Sequence, residues 1–244
     1  MAATFHEFWL PRRGSSPEEY EDAFARDAAA GRFALADGAT ESSYSALWAH
    51  LLVNDFVQNA SQEIGDWQSH LPALQERWYE SVRGPSLAWN VEAKLEQGAF
   101  ATFLGVALTY AERIPQWEAV AVGDACLFHT RGPMLFSAFP VDHSSKFSNA
   151  PRLLGSRTPP ESIRKNPPLH LQGSGLADDR LWMMTDALAQ WCLRQEEAGR
   201  DPWGELDGIM THSEAQQRFS DWIEELRSSK QLHNDDVTLL AIDL

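Results

Sequence analysis

Residues 33–53 read FALADGATESSYSALWAHLLV. An apolar run ends in Ala36, Asp37 and Gly38. Polar residues follow, and then Tyr44, Leu47, Trp48, Leu51, Leu52 and Phe56 recur at spacings of three and four. The first part predicts a strand over 32–36. The second predicts an amphipathic helix, with Ser42 or Ser43 placed to cap its first turn. A carboxylate at the tip of a buried strand loses hydration unless something compensates it. Asp37 is therefore either a turn residue or a ligand for a cation.

The same juxtaposition recurs along the chain. LWMMTD ends at Asp186, AVAVGDACLF turns at Asp124, and Asp235 and Asp236 precede the apolar run VTLLAI. In YEDAF, Glu21 and Asp22 open a strand candidate. Each acid has an ordinary reading. Asp-Gly is a common turn, Gly123-Asp124 suits a tight hairpin, Asp186 suits a helix N-cap, and Asp235-Asp236 suits a solvated loop. Five such acids in order make a stronger case together. With no Cys-x-x-Cys, no His-Glu-x-x-His and no two His three to five residues apart, an all-carboxylate set points to hard cations, Mg²⁺ or Mn²⁺, rather than zinc.

Between these motifs, strands are expected over 5–10, 20–27, 100–110, 117–122, 125–130, 134–139, 181–184 and 237–242. Residues 28–31 are expected to turn a hairpin. Helices are expected from Tyr44 to past Phe56, over 66–82, over 87–97 and from Asp186 to about Ala198, closed by Gly199. A last helix is expected after a capping box at Ser213 and Gln216. Residues 140–175, rich in Pro, Ser and Gly, read as a long surface segment. Strands, helices, strands, helices and a strand do not alternate regularly. Antiparallel sheets with helices packed outside them fit this order, in one domain over residues 1–244.

The chain has 244 residues, 43% hydrophobic and 23% charged, enough for a sizeable core. Acids outnumber bases 35 to 20, and the net charge of −15 repels phosphate backbones and anionic bilayers. Nucleic-acid and membrane partners are thus not expected. The N-terminus lacks a basic-then-apolar signal, and no run reaches the ~18 apolar residues of a membrane span. Cys126 and Cys192 lie in apolar stretches and read as buried free thiols, so the cytoplasm is the expected location.

The set of acids resembles the motifs of the metal-dependent serine/threonine protein phosphatases of type 2C (PPM), in a bacterial form. Tyr20-Glu21-Asp22 is similar to that family's Asn-Glu-Asp, and Ala36-Asp37-Gly38 to its Asp-Gly. Val122-Gly123-Asp124 resembles its Gly-Asp-Ser, Thr185-Asp186-Ala187 its Thr-Asp-Gly, and Asp235-Asp236-Val237-Thr238 its Asp-Asn-Ile/Val-Thr. The resemblance implies an α+β, four-layer α-β-β-α sandwich. Its two antiparallel sheets lie between pairs of helices, with a metal site at one edge. It implies that Asp37 bridges two Mg²⁺ or Mn²⁺ ions, with the Gly38 carbonyl on one and Asp186 and Asp235 on the other. Glu21 or Asp22 would support the site, and Asp124 with Asp186 would serve a third, weaker ion. A water bridged by the metals would attack the phosphorus of phosphoserine or phosphothreonine in a phosphorylated protein.

The family often carries a phosphate-gripping arginine three residues before its first motif. Here that position is Pro17, with Arg12 and Arg13 nearby. Lys146, Arg152, Arg157, Arg164 and Lys165 fall where the family varies a mobile flap. The main expectation is a phosphoprotein phosphatase, monomeric, with a cognate Ser/Thr kinase as its counterpart. The alternative is a non-catalytic or weakly active regulatory or binding module of the same fold. A serine hydrolase is disfavoured, because Gly173-Ser174-Gly175 lacks the Gly-x-Ser-x-Gly elbow.

Overall fold

A computed structural model describes residues 4–39, 44–59, 64–83, 95–111 and 114–244. Within them two five-stranded sheets form. One runs in the order β1 (Phe5–Leu10), β12 (Val237–Asp243), β11 (Asp179–Met184), β7 (Cys126–Arg131), β8 (Met134–Phe139). The other runs β10 (Leu169–Ser174), β6 (Ile114–Val122), β5 (Phe103–Ala111), β3 (Arg32–Ala36), β2 (Ala23–Asp27). A short pair joins β4 (Phe100–Ala101) to β9 (Leu154–Gly155). All neighbours in both large sheets are antiparallel.

The layering follows from side-chain alternation. Every residue of β3 is buried. Phe33 and Leu35 enter the core between the sheets, while Ala34 and Ala36 face a helix layer. Small residues on that face let α1 (Ser45–Gln58) lie close, with Trp48, Leu52, Val53 and Phe56 beneath it. α2 (Leu71–Val82) adds Leu74 and Trp78 to the same cluster. In the other sheet Leu181, Met183, Leu240 and Ile242 face inward. Trp182, Met184, Leu239 and Ala241 face α4 (Asp186–Glu197), α5 (Pro202–Met210) and α6 (Ala215–Ser228). Each fully buried Leu or Phe contributes about 1.5–3 kcal/mol, so strands apolar on both faces belong in the middle of four layers. This is the α-β-β-α sandwich that the resemblance implied.

Several local expectations change. The 122–125 turn is not a hairpin. It carries the chain from β6 in one sheet to β7 in the other, with Gly123 at φ 97°. A Cβ at Gly123 would come within 2.7 Å of Thr102 Cγ2 and 2.8 Å of the Arg152 carbonyl. Residues 140–175 are not one irregular segment, since they contain β9, the short helix α3 (Pro160–Lys165) and the edge strand β10. Exposed residues and Gly173, seated on Trp117, hid the alternation of β10. The helix expected over 66–82 is a 3₁₀ turn (Ile64–His70) followed by α2, whose first turn holds Pro72.

The strand expected from residue 20 begins at Ala23, and the one expected from 100 to 110 is broken at Thr102. The Ser213/Gln216 capping box is absent. α6 starts at Ala215, and Gln216 donates instead to the Trp9 carbonyl. α5 had no counterpart in the sequence reading. The expected Ser42 or Ser43 cap, and the helix expected over 87–97 apart from helical residues 95–97, lie outside the described residues. Cys126 and Cys192 are buried free thiols. Among the described residues, no helix is long and apolar enough to cross a membrane.

Candidate metal centre

Strand register brings the acids to one edge of the sandwich. In the β2–β3 hairpin Ala23 pairs with Ala36, so Asp22 and Asp37 leave it at the same end. β11 and β12 pair Met184 with Leu239, which sets Asp186 near Asp235. β5 and β6 pair Phe103 with Val122, which delivers the Gly123-Asp124 turn to that end.

Side chains stitch the two sheets together there. Thr238 Oγ1, on β12, donates to Asp22 Oδ2 at 2.6 Å, and Tyr20 Oη shares a hydrogen bond with the same hydroxyl. Thr185 Oγ1 accepts from the Thr238 N–H at 2.9 Å. The Asp37 N–H donates to Thr102 Oγ1 and its carbonyl accepts from the Thr102 N–H, so the main chain of Asp37 is pinned. Gly38 is required sterically. A Cβ there would lie 2.6 Å from the Glu21 carbonyl oxygen and 3.1 Å from Ser45 Cβ.

The electrostatics identify which carboxylates converge. Burial pushes Asp37 well above the ordinary carboxylate range, and Asp22, Asp186, Asp235 and Asp124 push it further. Asp22 is also well raised, by burial above all and then by Asp236, Asp186 and Asp235, against the lowering effect of the Thr238 hydrogen bond. Asp186 is pushed up to about 6 by burial and Asp235, with the Ala187 N–H and His233 pulling back. Asp124 rises to about 7 through burial and Asp186.

Mutual repulsion thus raises these carboxylates, and among the described residues both carboxylate oxygens of Asp124 are buried without a hydrogen-bond partner. An oxygen-only donor set with orphaned carboxylate oxygens fits a hard divalent cation. Among the described residues no three His, Cys, Asp or Glu side chains are disposed to hold an ion by themselves. Mg²⁺-type sites need no such cage, because one or two carboxylates and several waters complete their shell.

Other acids hold the frame. Glu21 Oε1 accepts from Ser45 Oγ at 2.6 Å and Oε2 from Arg12 Nη1 at 3.2 Å, so Glu21 fastens the start of α1. It is Asp22 that joins the cluster. Asp236 accepts from the N–H groups of Arg12 (2.7 Å) and Glu21 (2.8 Å) and clamps the first loop. Neither this clamp nor the Thr238 and Tyr20 contacts could be read from a linear motif, since their partners lie more than 200 residues away.

A cleft of about 1160 Å³ opens over Asp37, Asp186 and Asp235, with Arg194, Lys230 and His233 in its walls and residues 147–151 along one side. Arg12 and Arg13, near the position of the missing arginine, are engaged away from the cleft. Arg12 holds Glu21, and Arg13 donates to Glu224 Oε2 at 2.7 Å and to Ser228 Oγ at 2.8 Å. In the segment beside the cleft, Lys146 pairs with Asp142, Arg152 donates to the carbonyls of Asn166 and Pro167, and Arg157 lies over the Tyr79 ring.

The protein phosphatase 2C family model matches residues 14–232. Among solved structures, the catalytic domain of the serine/threonine phosphatase PstP, in complex with two manganese ions, has a TM-score of 0.63 at 14% identity; 99% of this chain and 98% of that one are covered. PppA, a regulatory component of the T6SS in Pseudomonas aeruginosa, has a TM-score of 0.60 at 16% identity, covering 100% and 98%. The PPM Ser-Thr phosphatase MsPP from Mycobacterium smegmatis, in complex with cacodylate, has a TM-score of 0.59 at 17% identity, covering 100% and 99%. At these identities the likeness is one of fold. No curated protein matches the sequence. The family match takes in Asp22, Asp37, Asp124 and Asp186 and covers most of the chain, so the chain belongs to the protein phosphatase 2C family of metal-dependent protein phosphatases.

Proposed function

We propose that this chain hydrolyses phosphoserine and phosphothreonine in proteins, with its chemistry at the acidic floor of the large cleft. One observation carries the reading. Asp22, Asp37, Asp186 and Asp235 converge there, with Asp22, Asp186 and Asp235 each raising the pKa of Asp37 and His233 a positive influence that lowers Asp186. In this reading Asp37, Asp186 and Asp235, with the Gly38 carbonyl, hold the Mg²⁺ or Mn²⁺ ions, and Asp22 and Asp124 assist. Divalent ions bound at such a site lower the pKa of water and offset charge on phosphoryl oxygens. The chain's own part is to hold the carboxylates in place. β3 and Thr102 fix Asp37, α4 and β12 fix Asp186 and Asp235, and Thr238 orients Asp22. Arg194, Lys230 and His233 in the cleft wall face where a phosphorylated segment would lie.

A second reading, binding without turnover, rests on Pro17 and on the engagement of Arg12 and Arg13 away from the cleft. A serine-hydrolase reading has no support. Ser174 pairs with Gln116 on the edge strand, five residues along from the Leu169–Ala121 pair and away from the acidic end.

The test is hydrolysis of p-nitrophenyl phosphate and a phosphothreonine peptide with Mn²⁺, Mg²⁺ or EDTA, by wild type and Asp37→Asn. Metal-dependent turnover, reduced at least about 100-fold in the variant, supports the enzyme. Metal binding by calorimetry without turnover supports the binding module. The absence of both turnover and metal binding would leave Asp37 as a turn residue.

A further inference from the structure

Arg227 is an arginine on the last turn of α6 whose side chain is only 2% exposed. Its Nη1 donates to the Pro11 carbonyl at 2.9 Å and to Glu224 Oε1 at 2.7 Å. Its Nη2 donates to the Asp235 carbonyl at 2.5 Å. One guanidinium therefore joins three segments: the helix end, the loop leading to the first acidic motif, and the residues ahead of β12. The neighbouring contacts repeat the tie. Glu224 Oε2 takes Arg13 Nε at 2.7 Å, and the Arg13 N–H donates to Asn234 Oδ1 at 2.8 Å.

Placing a guanidinium in the interior is expensive unless its donors are used, so this one is kept for geometry rather than for packing. The side chain is nearly closed to solvent. Arg227 belongs to the cleft wall, yet among the described residues its Nε–H is sealed from solvent without a partner. A phosphoryl group in the cleft has no path to that donor.

We infer that Arg227 is a positioning residue: it fixes the backbone of Asp235 and thereby sets the affinity of the acidic centre for its divalent ion. The inference rests on Asp235 being a metal ligand, as proposed above. It is tested by calorimetric titration of the metal-free full chain with Mn²⁺, comparing wild type, Arg227→Met, Arg227→Lys and Glu224→Gln. Thermal melts without metal and steady-state kinetics on p-nitrophenyl phosphate at saturating Mn²⁺ accompany it.

Partners that orient metal ligands typically change metal affinity about 10–100-fold, and a loss of that size is expected for Arg227→Met. KM for the small substrate stays at the wild-type value. Arg227→Lys, which can keep one carbonyl but not both, falls between the two. Wild-type Mn²⁺ affinity in Arg227→Met, whatever its melting temperature, overturns the inference. So does a raised KM with unchanged Mn²⁺ affinity, which would place the side chain on the substrate. If Arg227→Met does not fold, unchanged affinity in both Arg227→Lys and Glu224→Gln overturns it. A wild type that binds no Mn²⁺ removes the metal reading and this inference with it, whereas wild-type binding with unaffected variants removes this inference alone.

Discussion

Thr238 Oγ1 donates a 2.6 Å hydrogen bond to Asp22 Oδ2 across a sequence separation of 216 residues. Thr238 belongs to β12, the second strand of one sheet, and Asp22 leads into β2, the edge strand of the other. Both are buried, Asp22 at 1% and Thr238 at 0% exposure. The contact thus closes the acidic end of the sandwich and holds one carboxylate of the centre in place.

Thr238→Val keeps the shape and removes the donor. A buried acceptor left without its partner costs about 1–3 kcal/mol, so urea denaturation should show a loss in that range. Thr238→Ser retains the hydroxyl and should lose clearly less. Equal losses in the two variants would show that the methyl group, not the hydrogen bond, matters here.

The metal-free protein should melt at a higher temperature when Mn²⁺ is added, because an ion that binds only the folded state stabilises it. Asp37→Asn removes one charge from a cluster of mutually repelling carboxylates. It should melt no lower than wild type without metal and gain little from Mn²⁺. A melting temperature for Asp37→Asn that rises with Mn²⁺ as much as wild type would remove Asp37 from the centre.

At the β7–β11 pair, the side chain of Asp179 is fully buried. It accepts from His129 Nε2 at 2.8 Å, Arg131 Nε at 2.5 Å and the Leu176 N–H at 3.0 Å. Burial alone would raise its pKa, but the hydrogen bonds from Arg131, Leu176 and His129 prevail and lower it to about 2. A lowered folded-state pKa stabilises the fold above the ordinary value of about 4 and loses that contribution as the pH falls toward 2. With Arg131 partly in solvent, the contribution is on the order of 1–2 kcal/mol. Asp179→Asn should lower stability at pH 7 and flatten the decline between pH 4 and 2. Parallel acid limbs for the two proteins would contradict this.

Gly105, on β5, lies under the Phe56 ring of α1. A Cβ there would fall 2.6 Å from Phe56 Cε2. Gly105→Ala should destabilise by about 1–3 kcal/mol through overpacking. Combining it with Phe56→Leu, which opens space, should cost less than the sum of the two single changes, as measured in a double-mutant cycle.

Lys230 follows α6 at φ 57°, one of two non-glycine residues with positive φ among those described. Glycine adopts this conformation without Cβ strain and is the usual residue just past a helix end. Lys230→Gly should therefore raise stability by about 0.5–1 kcal/mol. A fall in denaturation midpoint would mean that the lysine side chain contributes more than its backbone costs.

Much of this was legible in the linear sequence. FALA and LWMM are short apolar runs buried on both faces, and the spacing of Trp48, Leu52 and Phe56 is a helical stripe. Both are properties of a ten-residue window. The acids at strand ends were equally visible, because a carboxylate beside a buried run stands out whatever the fold. Less legible were β10, whose alternation is masked by exposed residues and Gly173, and α5, where Asp201 caps the helix ahead of Pro202 but Gly204 and Gly208 weaken the helical pattern.

The sequence by itself determined most of the strands and helices, the faces those bury, and that five strands carry acids at their tips. Those properties depend on local periodicity and on the chemistry of single side chains. Only the tertiary structure decided that the 122–125 turn crosses between sheets, that Asp22 rather than Glu21 joins the acidic cluster, and that Arg227 ties the Asp235 segment to the first loop. These depend on the order and register of strands from opposite ends of the chain, and on which donor wins each buried acceptor once the two sheets close. That competition is settled by packing in three dimensions.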